Sequence, residues 1–287
     1  MKKSQLYQLA RDWSSSGISG LLYEESDKGF TYFIYSYKKL GKTFLITPPL
    51  SPYALEFDSD SNALKSFLEF LNQNHRKVYV HLILNNTNTA NKSVLEDGGF
   101  SMSKKPNFIL DLRNTPQDLK KGLSSTRRRH INKAERELEN RFNTDRLKAF
   151  DLFRDTYKKG GLSIPEVFFN ELQNESTSHE QILACVYDDD ELQAANLCVV
   201  SGKVAYYLLG GLNPQIKNNH AGSYSLWNCI LKARELGAET FNFCGSSVPG
   251  IARFFKSFGA HQIQYLEVKK GHKTVDLVKQ LKSGFNH

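Results

Sequence analysis

The sequence predicts an α+β fold of two successive units, each with a mixed, mostly antiparallel sheet flanked by helices. Strand patterns and helix patterns alternate in both halves of the 287 residues, a length that gives room for two domains with full cores. Two short polar turns, 188–190 and 201–203, join consecutive strand patterns and suit antiparallel hairpins. We therefore expect an N-terminal domain over residues 1–112 and a C-terminal domain over 113–287.

The elements of the first half follow from local periodicity. Aromatic and polar residues alternate over 30–37, which is typical of a strand. Leu64, Phe67, Leu68 and Leu71 recur at helical spacing and form one apolar face. Strands are also expected at 43–47, 78–84 and 108–112, and helices at 4–13, 62–74 and 89–97.

The second half begins with helices and continues with a meander. A proline at position 116 suits the first turn of a long basic helix over 117–141. Further helices are expected at 145–157, 165–173, 223–236 and 273–281, and another follows the loop 245–250 and ends at residue 258. Strands are expected at 182–187, 192–200, 204–212, 239–244 and 262–268. This order predicts a central mixed sheet.

Charge, hydropathy and cysteine content indicate which kinds of partner, cellular location and metal site to expect. A net charge of +8 and a pI near 9.1 favour anionic partners such as nucleotide carriers, phosphate-bearing lipids or tRNA, although solubility alone also explains such a charge. No apolar run reaches the length of a membrane span, and the first residues lack the apolar stretch of a signal peptide, so we expect a cytoplasmic protein. The four cysteines form no CxxC pair, and no metal site is predicted.

The basic helix has two interpretations. Seven Lys and Arg residues lie within 117–136 against two acidic ones. Such a run is often a solvated face. Alternatively, one or two arginines hold phosphates, because a guanidinium forms paired hydrogen bonds to phosphate oxygens. Arg127 and Arg129 are the candidates.

Three segments carry a family resemblance. They are 123–135 (LSSTRRRHINKAE), the meander and helix of 184–236, and 241–259 with FNFCGS followed by GIARFFKSFG. Together they resemble the Fem-type branch of the GNAT acyltransferase superfamily, which includes peptidoglycan bridge-forming aminoacyltransferases. The resemblance implies two fused GNAT-like domains and an acyltransferase of class EC 2.3 that moves an acyl or aminoacyl group onto an amine.

The resemblance also implies site residues. Its Phe-Lys pair falls on Phe255 and Lys256, and the lysine would stabilise the oxyanion that forms during amide synthesis. Tyr207 on a central strand is a candidate for orienting the amine. Asn242, Gly245 and Ser246 are expected to contact substrate. An acid is usual in the family at the position of Asn242, and an amide cannot act as a base.

The carrier site is expected at the start of the helix near residue 222. GNAT enzymes that use coenzyme A cradle its pyrophosphate with Arg/Gln-x-x-Gly-x-Gly/Ala, where backbone N–H groups and the helix N-terminus face the phosphates. Lys217, Gly222 and Ser223 are the corresponding candidates here. His220 replaces the first glycine and disfavours an ordinary cradle. Ser223 as a plain helix cap is the other interpretation.

Several alternatives stay open at this level. No tightly bound cofactor is predicted, and acyl-CoA or aminoacyl-tRNA would be a co-substrate. The acceptor would be an amine on a cell-wall precursor or a lipid, which allows a peripheral membrane or lipid-linked substrate, and no DNA partner is expected. The rival function is a non-catalytic GNAT-like module that binds tRNA or another anionic partner, favoured by Asn242 and His220.

Overall fold

A computed structural model describes most of the chain. The described residues are 18–25, 30–39, 41–57, 61–74, 78–85, 91–161, 164–174, 180–215, 220–245 and 248–271. The helices expected at 4–13 and 273–281 lie outside these ranges. Within them, no helix is long and apolar enough to cross a membrane.

The contacts of the described residues divide them into two compact units. One unit holds the residues up to Lys105 and those from Gln264 onward, and the other is Pro106–Ile263. The domain boundary expected after residue 112 stays a prediction, because a division by contacts does not establish which segments fold independently.

The first unit is a mixed sheet with helices packed on it. Its elements are β1 Leu21–Glu25, β2 Phe30–Lys39, β3 Lys42–Ile46, β4 Leu55–Phe57, α1 Ser61–Asn74, β5 Tyr79–Leu84, α2 Asn91–Asp97, the start of β6 Ser101–Asp111 and most of β12 His261–Lys270. The strands run in the order β1-β2-β3-β5-β12, with β4 against β2 and β5. The β3–β5 and β4–β5 pairs are parallel, and the β1–β2, β2–β3, β2–β4 and β5–β12 pairs are antiparallel.

The core of the first unit forms as the periodicity predicts. Leu64, Phe67, Leu68 and Leu71 of α1 are all buried and pack in one cluster with residues of β2 and β5. Aromatic contacts join the two layers, since the Phe67 ring lies 5.7 Å from that of Phe30.

The second unit carries the rest of β6 and the remaining elements. They are α3 Pro116–Gly122, α4 Ser125–Glu137, β7 Glu139–Phe142, α5 Arg146–Lys159, α6 Glu166–Gln173, β8 Glu180–Asp188, β9 Glu191–Ser201, β10 Val204–Leu212, α7 His220–Glu235, β11 Thr240–Asn242 and α8 Pro249–Lys256. The strand order is β6-β11-β10-β9-β8-β7, and only the β10–β11 pair is parallel. The α+β class with mixed, mostly antiparallel sheets flanked by helices is therefore confirmed.

The long basic helix expected at 117–141 is in fact two helices. Thr115 caps α3, and Ser124 caps α4 by accepting a hydrogen bond from the N–H of Arg127 at 3.2 Å. The backbone N–H of Ser124 donates to the carbonyl of Ser257 at 2.9 Å. This bond stabilises the break between α3 and α4. After α4 the chain enters β7, a short polar strand that pairs with β8 and that the sequence pattern did not predict.

The helix α7 is the central packing element of this unit. Leu226, Trp227, Cys229, Ile230 and Ala233 are buried in the main core cluster. The hydroxyl of Ser225 is also buried and donates to the carbonyl of Ala184 at 2.8 Å, as a buried polar group requires. This packing fixes the position of the first turn of α7, where part of the candidate site lies.

Candidate active site

The strands β10 and β11 part beyond a short paired stretch. Val204–Tyr206 of β10 pairs in parallel with Thr240–Asn242, and β11 ends there while β10 continues to Leu212. The register of β10 against β9 shifts between Tyr207 and Leu209, so Leu208 is an extra residue in the strand. Beyond Tyr206, the side of β10 away from β9 pairs with no other strand of the described chain.

Asn242 organises the turn that follows β11. It is 5% exposed, and its Oδ1 accepts from the backbone N–H of Cys244 at 2.8 Å and from Nδ2 of Asn107 at 3.0 Å. Its amide oxygen therefore holds the turn. The Oδ1 of Asn107 is buried, and none of the described groups donates a hydrogen bond to it.

The next two residues have left-handed backbones. Cys244 has φ 58° and Gly245 has φ 75°. A Cβ at Gly245 would lie 2.7 Å from the carbonyl oxygen of Pro106, so this approach of the turn to β6 requires glycine. Ser246 lies outside the described residues.

Two tyrosines and a thiol line the parted strands. Burial raises the pKa of the half-buried Tyr207 well above its ordinary value. Burial also raises the pKa of Tyr157 to about 12, and the Tyr157 hydroxyl donates to the carbonyl of the bulged Leu208 at 3.1 Å. Burial raises the pKa of the Cys244 thiol as well. At neutral pH all three groups keep their protons, so they can donate hydrogen bonds but do not act as bases or as a thiolate nucleophile.

The Phe-Lys pair lies at the end of α8. Phe255 is 4% exposed, and its ring lies 4.8 Å from that of Phe243, 5.9 Å from Tyr207 and 6.0 Å from Phe108. Lys256 is exposed, with its Nζ 5.8 Å from the centre of the Phe108 ring. Phe255 thus anchors the helix in the core that contains Tyr207, and Lys256 projects from that anchor.

Arg127 is the most enclosed cation of α4. Its Nε donates to the hydroxyl of Ser257 at 2.9 Å, and its Nη1 donates to the hydroxyl of Ser223. The guanidinium carbon lies 4.4 Å from the centre of the Phe254 ring and 5.0 Å from that of Phe258. Burial lowers the pKa of Arg127 to about 10.

The structure brings together two sets of residues that the sequence suggested separately. Ser223, a carrier candidate, is 1% exposed in the first turn of α7 and bonded to Arg127, a phosphate candidate. Gly222 lies beside it, and its carbonyl accepts from Nδ2 of Asn196 at 3.3 Å. Arg129 is exposed on α4, and Lys217 lies outside the described residues.

One neighbouring pair was not predicted from the sequence. His130 of α4 and His220 at the start of α7 face each other with ring centroids 4.3 Å apart. Burial comes first among the causes that lower the pKa of each imidazole, and nearby positive charges lower both further. The available signal was His220 itself, which stands where a cradle glycine was expected.

A shallow cavity of about 440 Å³ lies between α5 and α6. Tyr157 and Phe169 line it together with the charged side chains of Arg154, Lys158 and Glu166. The hydroxyl of Tyr157, one of the lining residues, donates to the carbonyl of Leu208 in the bulge of β10. Within the described ranges, no three side chains of metal-binding type come together.

Known proteins share this fold. Residues 125–256 match the family model described as Acetyltransferase (GNAT) domain. The fold is similar to the crystal structure of FemX, with a TM-score of 0.66 and 14% identity over 97% of this chain and 99% of that one. It is also similar to L-PGS from Bacillus licheniformis, with a TM-score of 0.60 and 12% identity over 96% of this chain and 94% of that one.

A tandem GNAT protein from the clavulanic acid biosynthesis pathway is similar as well, with a TM-score of 0.53 and 9% identity over 90% of this chain and 86% of that one. No curated protein matches the sequence. Identities this low show a shared fold and do not carry residue roles from one protein to the other.

Proposed function

Because residues 125–256 match the GNAT acetyltransferase model and the fold is similar to that of FemX, we propose that this protein transfers an acyl or aminoacyl group from an anionic carrier to an amine. The observation that carries the proposal is the parting of β10 and β11 after Tyr206 and Asn242. An extended substrate arm can add to the strand edge left on β10, because backbone N–H and C=O groups there can pair with it. The two tyrosines and the bulge lie beside that edge.

Lys256 supplies the positive charge in this proposal. The amine nitrogen attacks the carbonyl carbon of the donor, and negative charge develops on the carbonyl oxygen. A fixed ammonium near that oxygen stabilises the charge. Phe255 is buried among four rings and therefore holds the helix end that carries the lysine.

In this proposal the substrates, rather than a side chain of the protein, accept the proton of the attacking amine. As the new C–N bond forms and the carbon–oxygen or carbon–sulfur bond to the carrier breaks, the amine loses a proton and the leaving group takes one. Tyr157, Tyr207 and Cys244 all have raised pKa values and so do not accept that proton. Tyr207 can instead donate a hydrogen bond that orients the amine or the leaving atom, while the Tyr157 hydroxyl stays bonded to the carbonyl of Leu208.

The carrier is an anion such as coenzyme A or tRNA. A net charge of +8 favours such a partner, and its binding would weaken with salt. The cavity lined by Tyr157 would hold the acyl group or the amine. A cell-wall precursor or an aminolipid is the expected acceptor.

A second function follows from Asn242. Its amide oxygen is committed to the turn, and it stands where an acid is usual in Fem-type relatives. A module that binds tRNA without catalysing a reaction would tolerate an asparagine at position 242.

Two measurements separate the two functions. Mass spectrometry of small molecules that copurify with the protein identifies the carrier, and single-turnover assays with acetyl-CoA and with aminoacyl-tRNA then test for an amide product. Formation of the amide supports the enzyme. Tight, salt-sensitive binding of tRNA without a product from either donor would overturn transfer in favour of the binding module.

A further inference from the structure

Strand β7 is the outer strand of the second unit's sheet. Its inner side pairs with β8, and its outer side pairs with no other strand of the described chain. The backbone N–H of Asn143, just past the strand, donates to a carbonyl of β8 at 2.8 Å. Because hydrogen-bonded positions alternate along antiparallel strands, Glu139 and Arg141 also bond to β8. The N–H and C=O groups of Asn140 and Phe142 therefore point outward.

The outward groups form an open edge to which another strand can add. Addition of a strand to a sheet edge is a common mode of association between chains. Many natural edges carry lysine or proline, which disfavour such pairing, and β7 carries neither. It carries instead one acid and one base, Glu139 and Arg141, two residues apart on the same face and hydrogen-bonded at 2.7 Å. A strand with the opposite order of charges would therefore complement β7.

A second copy of β7, running antiparallel, presents that opposite order. Outward positions must oppose outward positions, so the registers that overlap well are centred on residue 139, 140 or 141. A centre at Glu139 or at Arg141 sets that residue against its own copy, and like charges directly opposite are destabilising. A centre at Asn140 sets each Glu139 against Arg141 of the other copy. The charges therefore favour the register centred on Asn140.

The other side-chain pairs of this register are also complementary. Phe142 is 38% exposed and opposes Leu138, the half-buried, extended residue just before the strand, in the other copy. The two Asn140 side chains oppose each other. Oδ1 of Asn140 is buried, and none of the described groups donates a hydrogen bond to it. The amide N–H of the other Asn140 can donate there, which removes the cost of an unsatisfied acceptor.

The backbone bonds of this register follow from the outward groups. The two Asn140 residues donate to each other, and each Phe142 N–H donates to the carbonyl of Leu138 in the other copy. The N–H of Leu138 stays in its bond to the carbonyl of Ala134 at 2.8 Å, at the end of α4. A contact this short falls below the usual interface area of about 1,200–2,000 Å², so the association is weak.

We propose that β7 pairs antiparallel with β7 of a second copy of this chain, centred on Asn140, and that the protein thereby forms a weak, two-fold symmetric dimer. Both copies use the same surface, as a two-fold contact requires. The sheet of the second unit then continues across the contact. This proposal is independent of the proposed function, since no residue of β7 takes part in the transfer.

Sedimentation equilibrium over a series of protein concentrations tests the dimer on the unmodified protein. A monomer–dimer equilibrium is expected, and a monomer at every concentration would overturn the proposal. Amide hydrogen exchange locates the contact. Exchange at Asn140 and Phe142 should slow as the concentration rises, whereas exchange in β1, the outer strand of the first unit, should not change. A dimer that leaves exchange in β7 unchanged would overturn the proposal as well.

Charge variants test the register. Glu139→Arg alone and Arg141→Glu alone each set like charges against each other in two places, so each should weaken the dimer about tenfold. The double variant Glu139→Arg with Arg141→Glu should dimerise as the parent does, because only a centre at Asn140 again opposes unlike charges. A mixture of the two single variants should form a heterodimer, which also shows that both fold.

The control for the charge variants is Glu239→Arg. This residue is exposed, lies just before β11 and changes the net charge as Glu139→Arg does. It should leave the dimer unchanged, and a loss equal to that of Glu139→Arg would show a general effect of charge. A double variant that stays as weak as the single variants would overturn the register.

Asn140→Pro tests the backbone bonds. The N–H of Asn140 points away from β8, so proline removes the central bonds of the dimer without removing a bond within the sheet, as an edge strand permits. The variant should be monomeric, with a melting temperature close to that of the parent. Asn140→Ala keeps the N–H and should still dimerise. A dimer of parental strength in Asn140→Pro would overturn the proposal.

Discussion

The Nε of Arg127 donates a hydrogen bond to the hydroxyl of Ser257 at 2.9 Å, and Ser257 directly follows Lys256. The carbonyl of Ser257 also accepts from the backbone N–H of Ser124 at 2.9 Å. Two hydrogen bonds thus fix the end of α8 to the start of α4. The place of Lys256 is consequently set by residues that lie more than a hundred positions earlier in the chain.

Replacement of Lys256 tests its role at the oxyanion. Lys256→Ala should lower the single-turnover rate by about a hundred- to a thousand-fold, which is the usual cost of losing one such donor. The melting temperature should change little because the side chain is exposed. Lys256→Arg should recover part of the rate, since a planar guanidinium places its charge differently.

The control for this variant is Arg253→Ala, which removes an exposed cation from the same helix. It should leave the transfer rate near that of the parent. A normal rate in Lys256→Ala, or an equal loss in Arg253→Ala, would remove the specific role of Lys256.

Phe255 is expected to act through stability. Phe255→Ala deletes a ring that is 4% exposed and packed on Phe108, Tyr207 and Phe243, so the free energy of unfolding should fall by about 3–5 kcal/mol. Urea unfolding measures this. Ile251→Ala in the same helix, at a residue 43% exposed, should cost much less. If Phe255→Ala keeps its stability and loses activity, Phe255 has a direct role in the reaction.

The fold was largely predictable because its signals are local. The apolar face of α1 and the strands β8 to β10 follow from periodicity within single segments. The prediction of one long helix over 117–141 was wrong because Ser124 begins a new helix as its N-cap, and the backbone N–H of Ser124 bonds to the distant carbonyl of Ser257. β7 was missed because an edge strand with one apolar residue shows no alternating pattern.

The site was predictable only in part. Arg127 and Ser223 were each suggested by type and position, but their contact depends on how α4 packs on α7. The same packing creates the pair of His130 and His220, which no spacing in the sequence reveals. The roles given to Lys256, Arg129, Asn242 and Gly245 stay predictions.

Gly245 offers a matched pair of glycine substitutions. Gly245→Ala should lower the free energy of unfolding by at least about 1–2 kcal/mol, because the residue has φ 75° and its Cβ would lie 2.7 Å from the carbonyl oxygen of Pro106. Gly250→Ala has no atom within 4 Å of its Cβ and lies in α8, so stability should stay level or rise by up to about 1 kcal/mol. Urea unfolding of both variants decides, and equal stabilities would contradict the close approach of the turn to β6.

In the first unit, Glu267 is a buried carboxylate with several donors around it. Burial raises its pKa, but the hydroxyl of Ser103 at 2.6 Å, the ammonium of Lys269 at 2.9 Å, His81 at 2.8 Å and the charge of Lys105 outweigh burial and lower the pKa to about 2. Hydrogen bonds to a charged group contribute about 1–3 kcal/mol to stability. This contribution requires the ionised carboxylate.

The sign of the pH dependence follows from that lowered value. Between the ordinary pKa of 4.5 and about 2, the unfolded chain binds a proton at Glu267 that the folded protein does not. Stability is therefore fully present above the ordinary value and is lost as pH falls toward about 2. Glu267→Gln should be less stable than the parent near neutral pH by roughly 1–3 kcal/mol, and the difference should shrink steadily in acid.

Glu96→Gln is the control, since Glu96 is 54% exposed and pairs only loosely with Lys92 at 3.7 Å. Urea unfolding at a series of pH values measures both variants, and a difference between Glu267→Gln and the parent that stays constant down to about pH 2 would show that this carboxylate is not ionised in the folded protein.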